Sequence, residues 1–150
     1  MSELEDELKG RLLFEKIQEQ ISPYKKIIRY TEDKYAPYDV VAISGNTLAI
    51  IEIKNRNIKN KDYSSAIIQV DKCNEMIQIS NDCNREVLAQ FCSITEDDYY
   101  YIWNLSQSAY TGLIMAQNTN NPTKECKRYT KSKKVLYYKY KDAIIKGRIK

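Results

Sequence analysis

Residues 38–57 constrain the fold of this chain more than any other stretch. Two runs rich in Val, Ile and Ala, Val40-Val41-Ala42-Ile43 and Leu48-Ala49-Ile50-Ile51, flank Gly45-Asn46. Two central residues of this kind suit a primed turn, so the segment is predicted to be a tight β-hairpin. A two-residue loop sets the register: Ser44 faces Thr47, Ile43 faces Leu48, Val41 faces Ile50 and Asp39 faces Glu52. Side chains alternate along a strand, which places Asp39, Glu52 and Lys54 on one face.

Like charges directly opposite one another destabilise a sheet, and carboxylates on an apolar surface are costly unless compensated. A divalent cation held by both carboxylates, with a lysine alongside, removes that cost. Mg²⁺ suits such a site because it takes one or two carboxylates, keeps several waters and often binds phosphate. The residues therefore point to metal-assisted phosphodiester chemistry. The other reading, a strand-end aspartate with Glu52 and Lys54 on a solvated edge, stays open at this level. Glu-x-Lys alone is uninformative, since it recurs at Glu7-Lys9, Glu32-Lys34 and Glu125-Lys127. Only the copy at Glu52 lies in an apolar strand opposite a carboxylate.

Composition narrows the alternatives. The 150 residues suit one domain with its own core, and the 43% hydrophobic and 29% charged content is that of a soluble globular chain. No apolar run approaches the ~20 residues of a membrane span, and the acidic start, Met-Ser-Glu-Leu-Glu-Asp-Glu, argues against a secretory signal. There is no histidine, which removes Ser-His and Cys-His catalysis and a histidine-bearing zinc site. Cys73, Cys83, Cys92 and Cys126 form no short-spaced pair and are expected as free thiols in a reducing cytoplasm. The four glycines are scattered, so no phosphate-binding glycine loop is present.

Charge is distributed unevenly. Residues 124–150 hold eleven Lys/Arg against two acids, whereas residues 1–123 hold thirteen against eighteen. The basic segment is interleaved with Tyr129, Tyr137, Tyr138 and Tyr140, a composition suited to phosphate contacts and base stacking. A lysine-rich solvated surface is the plainer reading of the same run.

A helix is predicted over 3–21, opened by Ser2 and Glu5 as a capping box and carrying two apolar stripes, Leu4-Leu8-Leu12 and Leu13-Ile17-Ile21. A strand follows near 25–31, then the hairpin. A second helix is predicted over 64–80 with Ala66, Val70, Cys73, Met76 and Ile77 on its apolar stripe and Gln69 at the stripe's edge. Strands are predicted near 87–95 and 99–105. Residues 106–133 read as an irregular polar stretch, with Asn118–Pro122 as its clearest loop, and a last strand or helix falls near 134–146.

This order of elements resembles the PD-(D/E)XK nuclease superfamily, which includes restriction endonucleases, RecB-type nucleases and archaeal Holliday-junction resolvases. The likeness covers about residues 3–105. Its signature falls on Pro37-Tyr38-Asp39, with Tyr38 intervening between proline and aspartate, and on Glu52-Ile53-Lys54 after twelve residues. The resemblance implies an α/β (α+β) fold with a restriction endonuclease-like three-layer core, a mixed central sheet flanked by helices, over a single domain 1–150. It implies a nuclease in which Asp39, Glu52 and the carbonyl of Ile53 hold Mg²⁺ or Mn²⁺ and Lys54 assists the water or the developing charge. It also implies a glutamate from the first helix, for which Glu15 is the candidate because it shares a stripe with Leu8 and Leu12, with Glu19 and Glu7 behind it. Gln69 fits the glutamine that some members place on the helix after Glu-x-Lys. Arg56, Lys133, Lys134 and Lys139 are the expected nucleic-acid contacts, DNA the expected partner. Resolvases of this kind act as homodimers, and Tyr99-Tyr100-Tyr101-Ile102-Trp103 has enough apolar area to build a dimer surface, although alternating core and surface on an ordinary strand is the plainer reading of that run. A non-catalytic nucleic-acid-binding or assembly module on the same fold is the alternative.

Overall fold

The structure, a computed structural model, describes residues 3–21, 26–32, 36–117 and 130–150. In chain order the elements are α1 (Glu3–Ile21), β1 (Lys26–Tyr30), β2 (Val40–Ser44), β3 (Thr47–Asn55), β4 (Ser65–Gln69), α2 (Val70–Asp82), β5 (Val87–Ile94), β6 (Tyr99–Asn104), β7 (Tyr110–Gln117), β8 (Thr130–Lys139) and β9 (Ile145–Arg148). Six strands form the central sheet in the order β1-β2-β3-β5-β6-β9, mixed because β3 and β5 run parallel while the other pairs are antiparallel. A second sheet, β4-β8-β7, is antiparallel throughout.

The hairpin register is the one the loop length dictates: β2 and β3 pair from Ser44–Thr47 to Val40–Ile51. Of the two turn residues only Gly45 has positive φ (62°), the sign pattern of a type II′ turn. β3 is covered on both faces, which is why it reads as an unbroken apolar run before Glu52. Its odd-numbered residues Ala49, Ile51 and Ile53 pack with Phe14 and Ile17 of α1. Its even-numbered residues Leu48 and Ile50 pack with Met76 of α2, Ala66 and Ile68 of β4, and Phe91 and Trp103. The layers are therefore α1, the six-stranded sheet, and then α2 together with the small sheet. α1 crosses β3 closely at Gly10, where a Cβ would sit 3.5 Å from Ile53 Cγ2.

Several expectations are corrected. α1 spans the predicted residues, but its Leu8 and Leu12 stripe faces outward (48% and 60% exposed), while Phe14 and Ile17 take the core. One stripe suffices because α1 covers a single sheet face. The predicted helix over 64–80 is β4 followed by α2, since Ala66-Ile67-Ile68 ladders onto β8 some seventy residues away. The stretch 106–133, expected to be irregular, contains β7 and the start of β8, and the segment 134–146 is strand β8 continuing to a short 3-10 turn and β9. Tyr100 to Trp103 are buried in β6 between β5 and β9, so that run is core and not a dimer surface. Cys73 and Cys92 are buried and Cys83 is exposed. Cys126, Tyr129 and the Asn118–Pro122 loop lie outside the described residues.

Trp103 joins the two sheets. It is fully buried, stacks on Phe91 (centroids 5.4 Å apart), and donates from Nε1 to Lys139 O at 2.8 Å. Trp103→Phe keeps most of the packing but strands that carbonyl, and is expected to cost about 1–3 kcal/mol. Urea unfolding followed by circular dichroism measures it; a loss below about 0.5 kcal/mol would show that water replaces the bond.

Candidate active site

Asp39 stands just before β2, where the regular ladder breaks and its N–H and carbonyl turn to opposite sides. Its N–H donates to Ile51 O (2.9 Å), and its carbonyl accepts from Thr31 N (2.9 Å). The backbone is thereby fixed on both sides, and the side chain is delivered to the β3 end: Asp39 Oδ2 accepts from Ile53 N at 2.7 Å. The Asp39 carboxyl stands close enough to Glu52 to act on its carboxyl directly. The N–H groups of Leu48 and Arg56 point towards β5, whereas Ile51 and Ile53 address Asp39. The carbonyl of Ile53 therefore leaves β3 on the Asp39 side, because N–H and C=O of one strand residue project the same way.

Glu52 is 2% exposed, level with buried Phe91 and Trp103 across the sheet. Burial, and after it the hydrogen bond and the charge of Asp39, push its carboxyl up to about 8; Lys54 and Lys72 oppose the shift. Lys72 Nζ lies 2.5 Å from Glu52 Oε2. That contact is an ion pair without hydrogen-bond alignment, so Oε2 is buried with no aligned donor. Ser93, level with Lys54 on β5, likewise has a buried Oγ with no partner among the described residues. Unsatisfied polar atoms thus gather on the face where Lys54 stands.

The other anticipated residues divide. Glu15 is not part of this constellation. α1 packs on the opposite face of the sheet, and Glu15, exposed beside Leu12, accepts a hydrogen bond from Tyr30 Oη at 3.0 Å. Glu7 pairs with Arg11 at 3.0 Å, and Glu19 is exposed. Gln69 is also misplaced by sequence reasoning: it is the exposed last residue of β4, at the N-cap of α2 and not inside the helix. Arg56 is turned inward. Its Nη2 donates to Ile67 O at 2.7 Å, and burial lowers its affinity for the proton while Glu52 and Tyr140 act to raise it. It ties the small sheet to the end of β3 and is no free surface cation. Lys133 and Lys139 are exposed on one face of β8, with Lys139 Nζ 5.4 Å above the Tyr110 ring; Lys134 is exposed on the other. Sequence reasoning missed Lys72, because with the helix started at 64 nothing marks residue 72 as a first-turn position.

The donor set fits a hard divalent ion: two carboxylates, one of them with a buried oxygen lacking an aligned donor, and a strand carbonyl directed at the same place. No group of three or more His, Cys, Asp or Glu is placed to hold a metal among the described residues.

A mixed sheet flanked by helices, with Asp39 and Glu52-Ile53-Lys54 meeting where β2 ends, is the architecture expected from the sequence. Among solved structures the chain is similar to Hjc of Archaeoglobus fulgidus, a Holliday junction resolvase from an archaeal hyperthermophile. The TM-score is 0.54 at 10% identity, with 94% of this chain and 92% of that chain covered. At that identity the likeness is one of fold. No protein-family model matches the chain, and no curated protein matches it. No helix among the described residues is long and apolar enough to cross a membrane.

The raised Glu52 carboxyl has a thermodynamic consequence. Between the ordinary carboxylate value of 4.5 and about 8 the native chain keeps a proton that the unfolded chain has released. Stability is therefore highest below that range and falls as pH climbs through it. The chain has no histidine to titrate in the same window. Metal-free Glu52→Gln, which cannot ionise, is expected to be more stable than wild type at pH 8.5 by about 1–3 kcal/mol, with the gap closing towards pH 5. Denaturant melts at both pH values test this; a gap independent of pH would place the titration elsewhere.

Proposed function

We propose that the chain is a metal-dependent nuclease that hydrolyses phosphodiester bonds in DNA. The observation that carries the reading is the buried meeting of Asp39 and Glu52 beside Lys54 and Lys72, an arrangement costly to the empty protein and suited to a divalent cation. Asp39, Glu52 and the Ile53 carbonyl would hold Mg²⁺ or Mn²⁺. When bound, the ion supplies Lewis-acid polarisation of the phosphodiester and a more acidic water. Lys54 shares a face with Glu52 at the mouth of the site; its ammonium orients the water or stabilises charge developing on the phosphate. Arg56 holds the small sheet against the end of β3. Lys133 and Lys139, with the stacked Tyr110–Tyr137 pair (5.2 Å, 9°) between the strands, offer the strand a basic and aromatic path.

The decisive experiment incubates labelled duplex, four-way-junction and single-stranded DNA with Mg²⁺ or Mn²⁺. Wild type is expected to cut, and Asp39→Ala, Glu52→Ala and Lys54→Ala to lose at least about a hundredfold in rate while folding normally. Cleavage that survives all three changes would end the proposal. Equal absence of cutting with retained binding would favour the non-catalytic module.

DNA binding is expected to weaken with salt, the slope of log affinity falling by about two when Lys133 and Lys139 are both neutralised and changing less for Lys134→Gln. Fluorescence titration at three ionic strengths measures it. Equal effects from all three lysines would mean that the strand does not follow the Tyr137 face.

A further inference from the structure

Among the residues around the site, Lys72 has no role in the reading above. It stands in the first turn of α2, where the helix dipole disfavours a cation. Its ammonium nevertheless reaches back to Glu52, 2.5 Å from the oxygen with no aligned donor. An ammonium has three donors and no acceptor, so it cannot join a metal's ligand set. Nor can it share one carboxylate oxygen with a dication without strong repulsion. α2 itself is anchored by Cys73 and Met76, 1% and 0% exposed, so the helix holds its place while the side chain moves. The Lys72 side chain is 31% exposed and has a path to solvent on the face that carries Lys54.

We propose that Lys72 is a built-in placeholder: its ammonium holds the cation position at Glu52 until a divalent ion displaces it, and the freed side chain then contacts a phosphate of the bound strand. The proposal rests on the nuclease reading and adds an order of events to it. In the empty protein the Lys72 ammonium offsets the Glu52 carboxylate. On loading, the ion takes over that task, and one positive charge moves from the wall of the site to its mouth, where the anionic substrate arrives. The site thereby becomes attractive to phosphate only once it holds its metal.

The test is calorimetric titration of Mn²⁺, without DNA, into wild type, Lys72→Met, Lys54→Met and Glu52→Gln. Removing a competitor is expected to tighten Mn²⁺ binding about tenfold in Lys72→Met, against about two- to threefold in Lys54→Met, which removes the same charge without a contact. Affinity in Lys72→Met that is unchanged, weaker or no better than in Lys54→Met overturns the placeholder. If wild type itself takes up no Mn²⁺, or Glu52→Gln binds as wild type does, the metal reading fails first and separately. Acetylation footprinting supplies a readout independent of substitution: Lys72 modification should rise about threefold on adding Ca²⁺ or Mn²⁺, and no change would count against displacement. With Ca²⁺ present, Lys72→Met should also lower the salt slope of DNA binding by about one; an intact slope overturns the phosphate contact. Lys72→Gln repeats each measurement should the methionine variant melt early.

Discussion

A carboxylate withdrawn from water is the constraint around which this molecule is arranged. Glu52 lies at 2% exposure between Phe91, Trp103 and the start of α2, where an isolated charge would be prohibitively costly. Three features make it tolerable. The hairpin brings Asp39 to the β3 end, where its carboxyl accepts from Ile53 N; α2 begins where its first turn can send Lys72 to Oε2; and Arg56 adds a further positive charge while anchoring the small sheet. Each belongs to a different element. Shifting the β2–β3 register by one residue would send Asp39 to the α1 face and leave Glu52 without its partner.

The two faces of the central sheet consequently do different work. The α1 face is apolar, built from Phe14 and Ile17 against Ala49, Ile51 and Ile102, and it supplies the hydrophobic burial that fixes the strands. The other face carries Glu52 and Lys54, and its aromatic cluster of Phe91, Trp103, Tyr101, Tyr138 and Tyr140 is a rigid wall. Tyr101 and Tyr140 stack at 4.0 Å, and the Trp103 bond to Lys139 O continues the wall into β8. The basic residues of β8 are thus held at a fixed position relative to Glu52 and not carried on a loose tail.

How much of this was legible in the sequence follows from the range of the interactions. The hairpin was legible to the residue as far as Val40–Ile51, because a two-residue turn with glycine in it sets the register locally; beyond that pair the placing of Asp39 also depends on its irregular backbone. The extent of α1 was legible too, but not its buried face: Leu8-Leu12 and Phe14-Ile17 are equally apolar stripes, and the choice between them is made by how α1 crosses β3 at Gly10. Placing Glu15 in the site followed from choosing the wrong stripe. The strand character of β4 and β7 depends on β8, which lies far along the chain, and helical spacing within 64–80 imitated a helix where a ladder wins. Lys72 was hidden for the same reason, since its significance depends on where α2 begins.

The physics of buried charge also bears on whether the constellation is functional or merely inherited with the fold. A buried, imperfectly satisfied ion pair contributes little to stability, and replacing it with apolar groups of similar volume is commonly neutral or stabilising. Here Glu52 sits among Ile50, Phe91 and Trp103, where a leucine or methionine would remove both the desolvation cost and the unaligned Oε2. Lys72 is likewise poorly matched to the first turn of its helix except as a partner of Glu52. A structural site would have no physical use for this expense, whereas a site that binds a dication recovers it on loading. Two conspicuous departures from the most stable arrangement, Glu52 in the wall and Lys72 at the start of α2, are thus one feature read twice. That coincidence supports a working metal site more strongly than the spacing of Asp39, Glu52 and Lys54 could by itself.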